Sequence, residues 1–302
     1  MYRKALRIKT HDGYDSFHRG YLIYASETEK EKDESERLKI IERGVDLMIK
    51  GLEAKDANFL AQFNFCTLDD ALNRLGKIEE SDKVFQDAVD LQLLSNFWQR
   101  SRNVITSIAS KPFRSLEETK LAIPLEYVKK NRKIIRKEAV DIFNQNLYTK
   151  YEESQIIKGS FHVYMLYKLG KRIENNCLNA PFTCKLVENI PNISENRHGD
   201  VKFTLMEADT HIASHSAPTN CRLRIHIGLD VPLQPKDEDK SEYPSRIRVT
   251  NQYNTWKNGE MMIFDDSFDH EVWHNDAKNR TRLILIMDIW HPQLTEMQIA
   301  TL

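Results

Sequence analysis

The sequence predicts an α+β chain: tetratricopeptide-like helical repeats over residues 1–100, then a double-stranded β-helix of the jelly-roll or cupin kind over residues 101–302. Three observations predict it. Apolar residues recur at helical spacing through the N-terminal third. Beyond residue 200, short β-rich runs follow one another with turn signals between them. Polar residues then fall on the strands where an inner face would want apolar ones, which suits a jelly-roll relative with one mouth open to a ligand.

Composition narrows the classes. At 302 residues the chain can hold one sizeable core or two smaller domains. Its 44 basic and 45 acidic residues nearly cancel, so no nucleic acid or other polyanion is implied as a partner. Glycine and proline are sparse, against large-scale disorder. No apolar run approaches the roughly 18 residues of a membrane helix, and MYRKALRIKTHDGY lacks the apolar core of a signal peptide. On residues alone the expectation is cytoplasmic.

Taken in order, helical segments fall at 16–27, 38–52, 59–75 and 79–91, with a charged break at Lys30–Glu36 and a turn at Gly76-Lys77. Leu72, Gly76, Phe85 and Ala88 have tetratricopeptide spacing, in which small residues let two helices pack closely. A generic helical hairpin carries the same spacing. Such repeats bury their faces only by stacking, and ALRIKTHDGYDSF resembles the tail of an earlier repeat, so the chain is expected to start partway through an array. A connector covers 93–120, broken at Lys111-Pro112 because proline disfavours helix in the residue before it. One long helix is expected from Leu125 to Gln145, with Ile134, Ile135 and Val140 to Ile142 facing inward to buttress the sheet. Segment 159–184 reads as an edge strand, a turn at Gly170 and a loop. Strands are expected at 201–207, 221–231, 246–250, 261–265 and 281–289, and the polar loop Pro232–Ser245 as mobile.

The stretch from His215 to Arg282 carries the chemistry. On a strand, Cys221, Leu223, Ile225 and Ile227 share one face, and Arg222, Arg224 and His226 the other. A solvated outer face has the same composition, but the neighbours point elsewhere. His215 lies upstream, His270 closes the apolar run Met261–Phe264, and Arg282 opens another at Leu283. Two histidines at strand ends suit iron(II), which leaves positions open for a bidentate ligand and dioxygen. A downstream arginine suits the far carboxylate of 2-oxoglutarate.

PTNCRLRIHIGL, FDDSFDHEVW and RLILIMDIWHP resemble signature blocks of the aspartyl/asparaginyl beta-hydroxylases, and the resemblance runs over nearly the whole chain. It implies a peptidyl-aspartate/asparagine dioxygenase using iron(II), 2-oxoglutarate and O2, with EGF-like domain proteins as substrates. It implies His215 and His270 as metal ligands, catalytic together with Arg282. Phe161, Thr204, Arg224, His226 and Arg282 would contact the cosubstrate, Thr204 being equally readable as a buried hydroxyl bonded to backbone. Arg222, facing the mouth, and Asp266 would contact substrate, although Asp265 and Asp266 also read as supports for the turn that presents His270. It further implies a Cys177–Cys184 disulfide, hence an oxidising compartment: the endoplasmic reticulum lumen, with a membrane anchor upstream of this chain. Two free buried thiols are the alternative.

The general iron triad places an acid two residues after the first histidine, where this chain has Ala217. The resembled family has a small residue there too, and water would fill the position. Halogenating relatives share the gap. Two other readings stay open: a related oxygenase of another substrate class (lipid hydroxylation or halogenation), and a catalytically silent scaffold whose repeats dock partners.

Overall fold

Amphipathic spacing in the N-terminal third becomes four helices in a computed structural model that describes residues 12–27, 33–53, 62–91, 94, 96–151, 156–233 and 239–302. The start of the expected helix at Phe59, the array-tail expectation over residues 5–11, and residues 234–238 of the polar loop lie outside the described residues. The chain divides into two compact units at Asn103/Val104.

In the first unit, α1 (Asp12–Leu22), α2 (Glu34–Glu53), α3 (Gln62–Arg74) and α4 (Ile78–Asp90) follow one another. Asp33 accepts from the Glu36 backbone N–H at 2.9 Å, satisfying one of the orphan donors that open α2. Helices α1 and α2 meet at Gly20: a Cβ there would lie 2.4 Å from the Gly44 carbonyl oxygen, so no larger residue fits without moving a helix. Phe17, Ile41, Val45, Met48, Leu68 and Leu72 fill the space between α1, α2 and α3. Phe65, Phe85 and Ala88 close the α3–α4 pair. Arg100 ties the following segment to that pair, between Asp69 (3.3 Å) and Asp82 (2.5 Å) and over the rings of Phe85 and Phe97.

The second unit has two helices where the sequence suggested one long helix. Helix α5 (Ala122–Lys130) and α6 (Arg132–Asn144) part at Asn131. The Asn131 side chain donates to the Tyr127 carbonyl at 2.8 Å, the competition for last-turn carbonyls that makes asparagine a helix terminator. Helix α6 then turns Ile135, Ala139 and Ile142 inward. Ile134 was expected inward, but one residue from that stripe it points away and is 45% exposed. Segment 171–184, expected as a loop, instead forms α7 (Glu174–Cys177) and the start of α8 (Pro181–Glu188). Pro181 suits the first helical position, and Glu138 of α6 accepts from the Phe182 and Thr183 N–H groups at 2.7 and 3.0 Å. A further turn, α9 (Pro191–Ser194), leads into the sheets, and α10 (Glu296–Thr301) follows them, opened by a Thr295/Gln298 capping box. A disulfide joins Cys177 to Cys184 inside the core under the sheet.

Two sheets face each other. The strands are β1 (Phe113–Arg114), β2 (Thr149–Lys150), β3 (Ile156–Lys158), β4 (Phe161–Lys168), β5 (Lys171–Arg172), β6 (Asp200–Met206), β7 (Thr210–His215), β8 (Arg222–Asp230), β9 (Ser245–Val249), β10 (Gln252–Asn254), β11 (Met261–Phe264), β12 (His270–His274) and β13 (Arg282–Trp290). The larger sheet runs β1-β11-β8-β13-β6-β4-β2, with β5 on β4, and the smaller β10-β9-β12-β7-β3. All the pairings between these strands are antiparallel. The larger sheet's outer face, including Leu223, Ile225, Ile227, Leu285 and Met287, packs in one core with Leu125, Ile135 and Ile142. Its inner face turns toward the smaller sheet. Strand β13 is buried at every residue because one face meets helices and the other meets the interior. Among the described helices none is long and apolar enough to cross a membrane.

The two cysteines outside the disulfide, Cys66 and Cys221, are both buried, and burial pushes the Cys66 thiol up to about 12. Alkylation of protein from an oxidising compartment is therefore expected to label neither in the native state, and only these two in denaturant without reductant. Labelling of all four without reduction would remove the bond.

Candidate active site

Strand register brings the two expected metal histidines together. His215 ends β7 and His270, expected to close the Met261–Phe264 run, instead opens β12. The reason is the intervening turn, where Asp265 accepts from the Ser267 N–H (3.0 Å) and hydroxyl (2.5 Å) and sends the chain across to the smaller sheet. The histidines are direct cross-strand partners with ring centroids 4.1 Å apart. Each Nδ1 meets the carbonyl two residues earlier, Ala213 for His215 (2.7 Å) and Phe268 for His270 (2.9 Å). A carbonyl only accepts, so both rings carry their proton on Nδ1 and their lone pair on Nε2. A carbonyl on one ring nitrogen fixes the ring and turns the other nitrogen outward, the way an imidazole that binds a metal is commonly held.

Both histidines line a cavity of about 280 Å³ between the sheets, together with Phe161, Arg222, Arg224, His226, Asp266 and Arg282. Ala217 lines it too, 7% exposed, so no carboxylate stands at that position. Among the described residues no group of three or more His, Cys, Asp or Glu side chains forms a metal cage.

The positive groups on the inner face fall into two kinds. Arg222 and Arg224 are matched. Arg224 grips Asp288 through two bonds (2.8 and 2.9 Å) and reaches Asp266 at 3.2 Å. Arg222 bonds Asp266 at 2.7 Å and lies 3.3 Å from Asp288. Burial works to raise the pKa of Asp288, yet Arg222 and Arg224 hold it well below the usual carboxylate range. Lys202, 3.5 Å from Asp200 and over the Tyr151 ring, joins this group, and burial followed by Arg224 lowers its pKa.

Arg282 is unmatched. It is 2% exposed, and its Nε and an Nη find no hydrogen-bond partner among the described residues. Burial alone draws its pKa down to about 9, and its guanidinium lies 3.8 Å above the Trp256 ring. Two more buried polar atoms in this region lack partners: Nε2 of His226 and the Thr204 hydroxyl. Thr204 pairs with Ile284, two residues along β13 from Arg282, so the two share the inner face. His226 pairs with Ile286 on the same face. Burial, then Arg224 and Arg282, keep His226 neutral. A buried guanidinium, an imidazole nitrogen and a hydroxyl without partners among the described residues thus share one face, a set of groups that suits a carboxylate.

Residues 129–292 match the sequence profile of the family described as aspartyl/asparaginyl beta-hydroxylase. The human protein named aspartyl/asparaginyl beta-hydroxylase is 32% identical over 304 residues, covering 100% of this chain and 37% of its own length. The chain belongs to the aspartyl/asparaginyl beta-hydroxylase family. It spans about a third of that relative. An ornithine lipid ester-linked acyl 2-hydroxylase from Rhizobium tropici is 34% identical over 129 residues, 43% of this chain and 41% of its own. Among solved structures, a 2OG-Fe(II) oxygenase-family oxidoreductase from Burkholderia pseudomallei covers 60% of this chain and 95% of its own at 15% identity, with a TM-score of 0.34.

Sequence reading passed over Asp288, Lys202 and Trp256. Asp288 did carry a signal: one carboxylate inside the apolar run LILIMDIW must find a partner when buried. Trp256 stands in a turn-rich polar segment with no periodicity to mark it.

Replacing Asp288 with Asn is expected to destabilise the fold by about 3–5 kcal/mol, because it leaves two buried guanidinium groups short of counter-charge. The wild type should lose stability in acid in two stages. Burial, with Arg282 for His274 and Arg114 for His291, draws both imidazoles down to about 4, so they stay neutral when folded. Their contribution is complete above the unfolded value of about 6.5 and is lost as pH falls from there toward 4, by up to about 1.4 kcal/mol per pH unit for each. The contribution of Asp288 is lost below about 4. Urea midpoints at pH 7, 5.5 and 4 check this, and equal midpoints at pH 7 and 5.5 would contradict it.

Proposed function

We propose that this protein is an iron(II)- and 2-oxoglutarate-dependent dioxygenase that hydroxylates the β-carbon of aspartate or asparagine in EGF-like domains of protein substrates. Arg282 carries the reading: among the described residues it is a buried cation without a counter-ion, on one face with two further unsatisfied polar atoms, in a cavity that also holds a histidine pair. Family membership supports the reaction class.

In this reading His215 and His270 hold the iron through Nε2, and water or ligand oxygens complete its shell because Ala217 offers no donor. Bound iron supplies oxygen activation coupled to oxidative decarboxylation of 2-oxoglutarate to succinate, with transfer of one oxygen to an unactivated carbon. The chain's own residues bind, orient and enclose. Arg282 pairs with the distal carboxylate of the cosubstrate, the His226 N–H and Thr204 hydroxyl donate to it, and Phe161 closes the wall. Arg224 lies beside the cosubstrate but already shares its charge with Asp288 and Asp266, so the ion pair rests on Arg282. Arg222, steered by Asp266, faces the acidic side chain of the substrate. The Cys177–Cys184 bond supports an oxidising compartment such as the endoplasmic reticulum lumen. The α1–α2 and α3–α4 pairs act as tetratricopeptide-like repeats that recruit the protein substrate.

The Rhizobium relative favours one second reading, acyl hydroxylation of a lipid. The charged lining of the cavity, Lys202, Arg222, Arg224, Asp266 and Arg282, fits a polar substrate better than an acyl chain.

The deciding experiment incubates the protein with iron(II), 2-oxoglutarate and a disulfide-bonded growth-factor-like peptide, in parallel with an acyl lipid. One added oxygen on an aspartate or asparagine of the peptide, with succinate released, is expected. Oxygen on the lipid alone would replace the substrate class. His215→Ala and His270→Ala should each abolish turnover in folded protein, and near-normal succinate from either would sink the metal assignment. Arg282→Ala should weaken 2-oxoglutarate by roughly thirty- to several-thousand-fold, since it removes one partner of a desolvated ion pair.

A further inference from the structure

Trp256 lies in the turn between β10 and β11, 2% exposed, and touches both charged-ligand donors of the inner face. Its indole N–H meets Nδ1 of His226 at 3.1 Å. An indole nitrogen only donates, so Nδ1 must hold a lone pair and the ring proton of this neutral imidazole must sit on Nε2. That Nε2 is the buried atom without a partner among the described residues. The same indole offers its face to the Arg282 guanidinium at 3.8 Å, where a desolvated cation gains from the ring quadrupole. The two rings lie nearly in one plane, 19° apart with centroids 6.0 Å distant, as an in-plane bond from the indole N–H to Nδ1 requires.

The turn itself is fastened to β8. The Gly259 N–H bonds the Gly228 carbonyl at 2.8 Å, and the Asn258 side chain bonds both the N–H and the carbonyl of Val231 (2.8 and 3.0 Å). A Cβ on Gly228 would lie 2.2 Å from the Lys257 carbonyl oxygen, so the close approach needs glycine two residues beyond His226.

We infer that Trp256 is a positioning residue for the dicarboxylate cosubstrate: its N–H selects the His226 tautomer that donates to the ligand, while its face holds the Arg282 cation that pairs with it. The inference rests on the cosubstrate reading above. Without the indole N–H, His226 is free to carry its proton on Nδ1, and a lone pair then faces the carboxylate.

The test is Trp256→Phe, which keeps an aromatic face for Arg282 and removes the N–H along with part of the ring, so the tautomer at His226 is read beside the affinity. Ring-¹⁵N histidine spectra, with zinc(II) standing in for iron, read the tautomer. Anaerobic calorimetric titration of 2-oxoglutarate with iron(II) bound reads affinity. Wild type is expected to show a lone-pair Nδ1 at His226, and the variant a loss of that signature with about ten- to hundredfold weaker binding, the worth of a hydrogen bond to a charged group. In a His226→Ala background the same substitution should change affinity by less than about threefold, because the residue it acts through is gone. A protonated Nδ1 in wild type, unchanged affinity in the variant, or full additivity in the double variant overturns the inference and leaves the cosubstrate reading standing. Failure of wild type to bind 2-oxoglutarate overturns both, and the spectrum then tells a missing ligand from a misplaced proton.

Discussion

Charge balance on the inner face of the larger sheet governs the rest of the structure. Among the described residues Lys202, Arg222, Arg224 and Arg282 stand there against Asp200, Asp266 and Asp288, leaving one guanidinium without a carboxylate. Burying a charge costs several kcal/mol unless it is paired and hydrogen-bonded. The matched arginines meet that requirement inside the chain. Among the described residues Arg282 has no carboxylate partner, and its guanidinium lies against the face of Trp256. In the proposed reading the cosubstrate supplies that partner, since an anion with two oxygens is what a planar guanidinium matches best.

Sheet geometry decides where the ligand sits. Antiparallel pairing sets β7 and β12 side by side in the smaller sheet, so His215 and His270 become neighbours although 55 positions separate them in sequence. The larger sheet places Arg282, Thr204 and His226 on the facing wall by alternation along three adjacent strands. Distance between imidazole pair and guanidinium is thereby fixed by two rigid sheets rather than by loops. Carbonyls hold the Nδ1 of His215 and His270, and an indole holds the Nδ1 of His226. In the proposed reading the opposite nitrogen of each faces the metal or the cosubstrate.

Much of this was legible in the residues. The alternation of Arg222, Arg224 and His226 against Leu223, Ile225 and Ile227 followed from the two-residue period of a strand, and the four N-terminal helices followed from apolar spacing. What escaped was set by local competition or by tertiary partners. Asn131 ends a helix through its own side chain, which the apolar pattern of 125–145 does not reveal. Segment 171–184 holds its helices because Pro181 and Glu138 supply a start and a cap from places 43 residues apart. Likewise, the pairing of Arg224 with Asp288 joins strands that the sequence separates by 64 positions, so a reading by motif could count Arg224 as a ligand contact without seeing its charge already shared.

Ala217 raises the question of what replaces the usual iron-binding acid. The cavity does contain a carboxylate close to that position: the Ala217 N–H donates to the Asp266 carbonyl at 2.7 Å. The Asp266 side chain, however, is committed to Arg222 and Arg224, two cations that would lose their counter-charge if it turned toward a metal. Rigid imidazoles make up part of the deficit, since both Nδ1–carbonyl bonds raise the basicity of the opposite nitrogen and remove the cost of ordering the rings. In the proposed reading the remaining negative charge would come from the ligands. A dicarboxylate cosubstrate would answer both demands, one carboxylate serving the metal and the other neutralising Arg282. Metal and cosubstrate should therefore bind with positive coupling, each lowering the electrostatic cost that the other meets in an empty site.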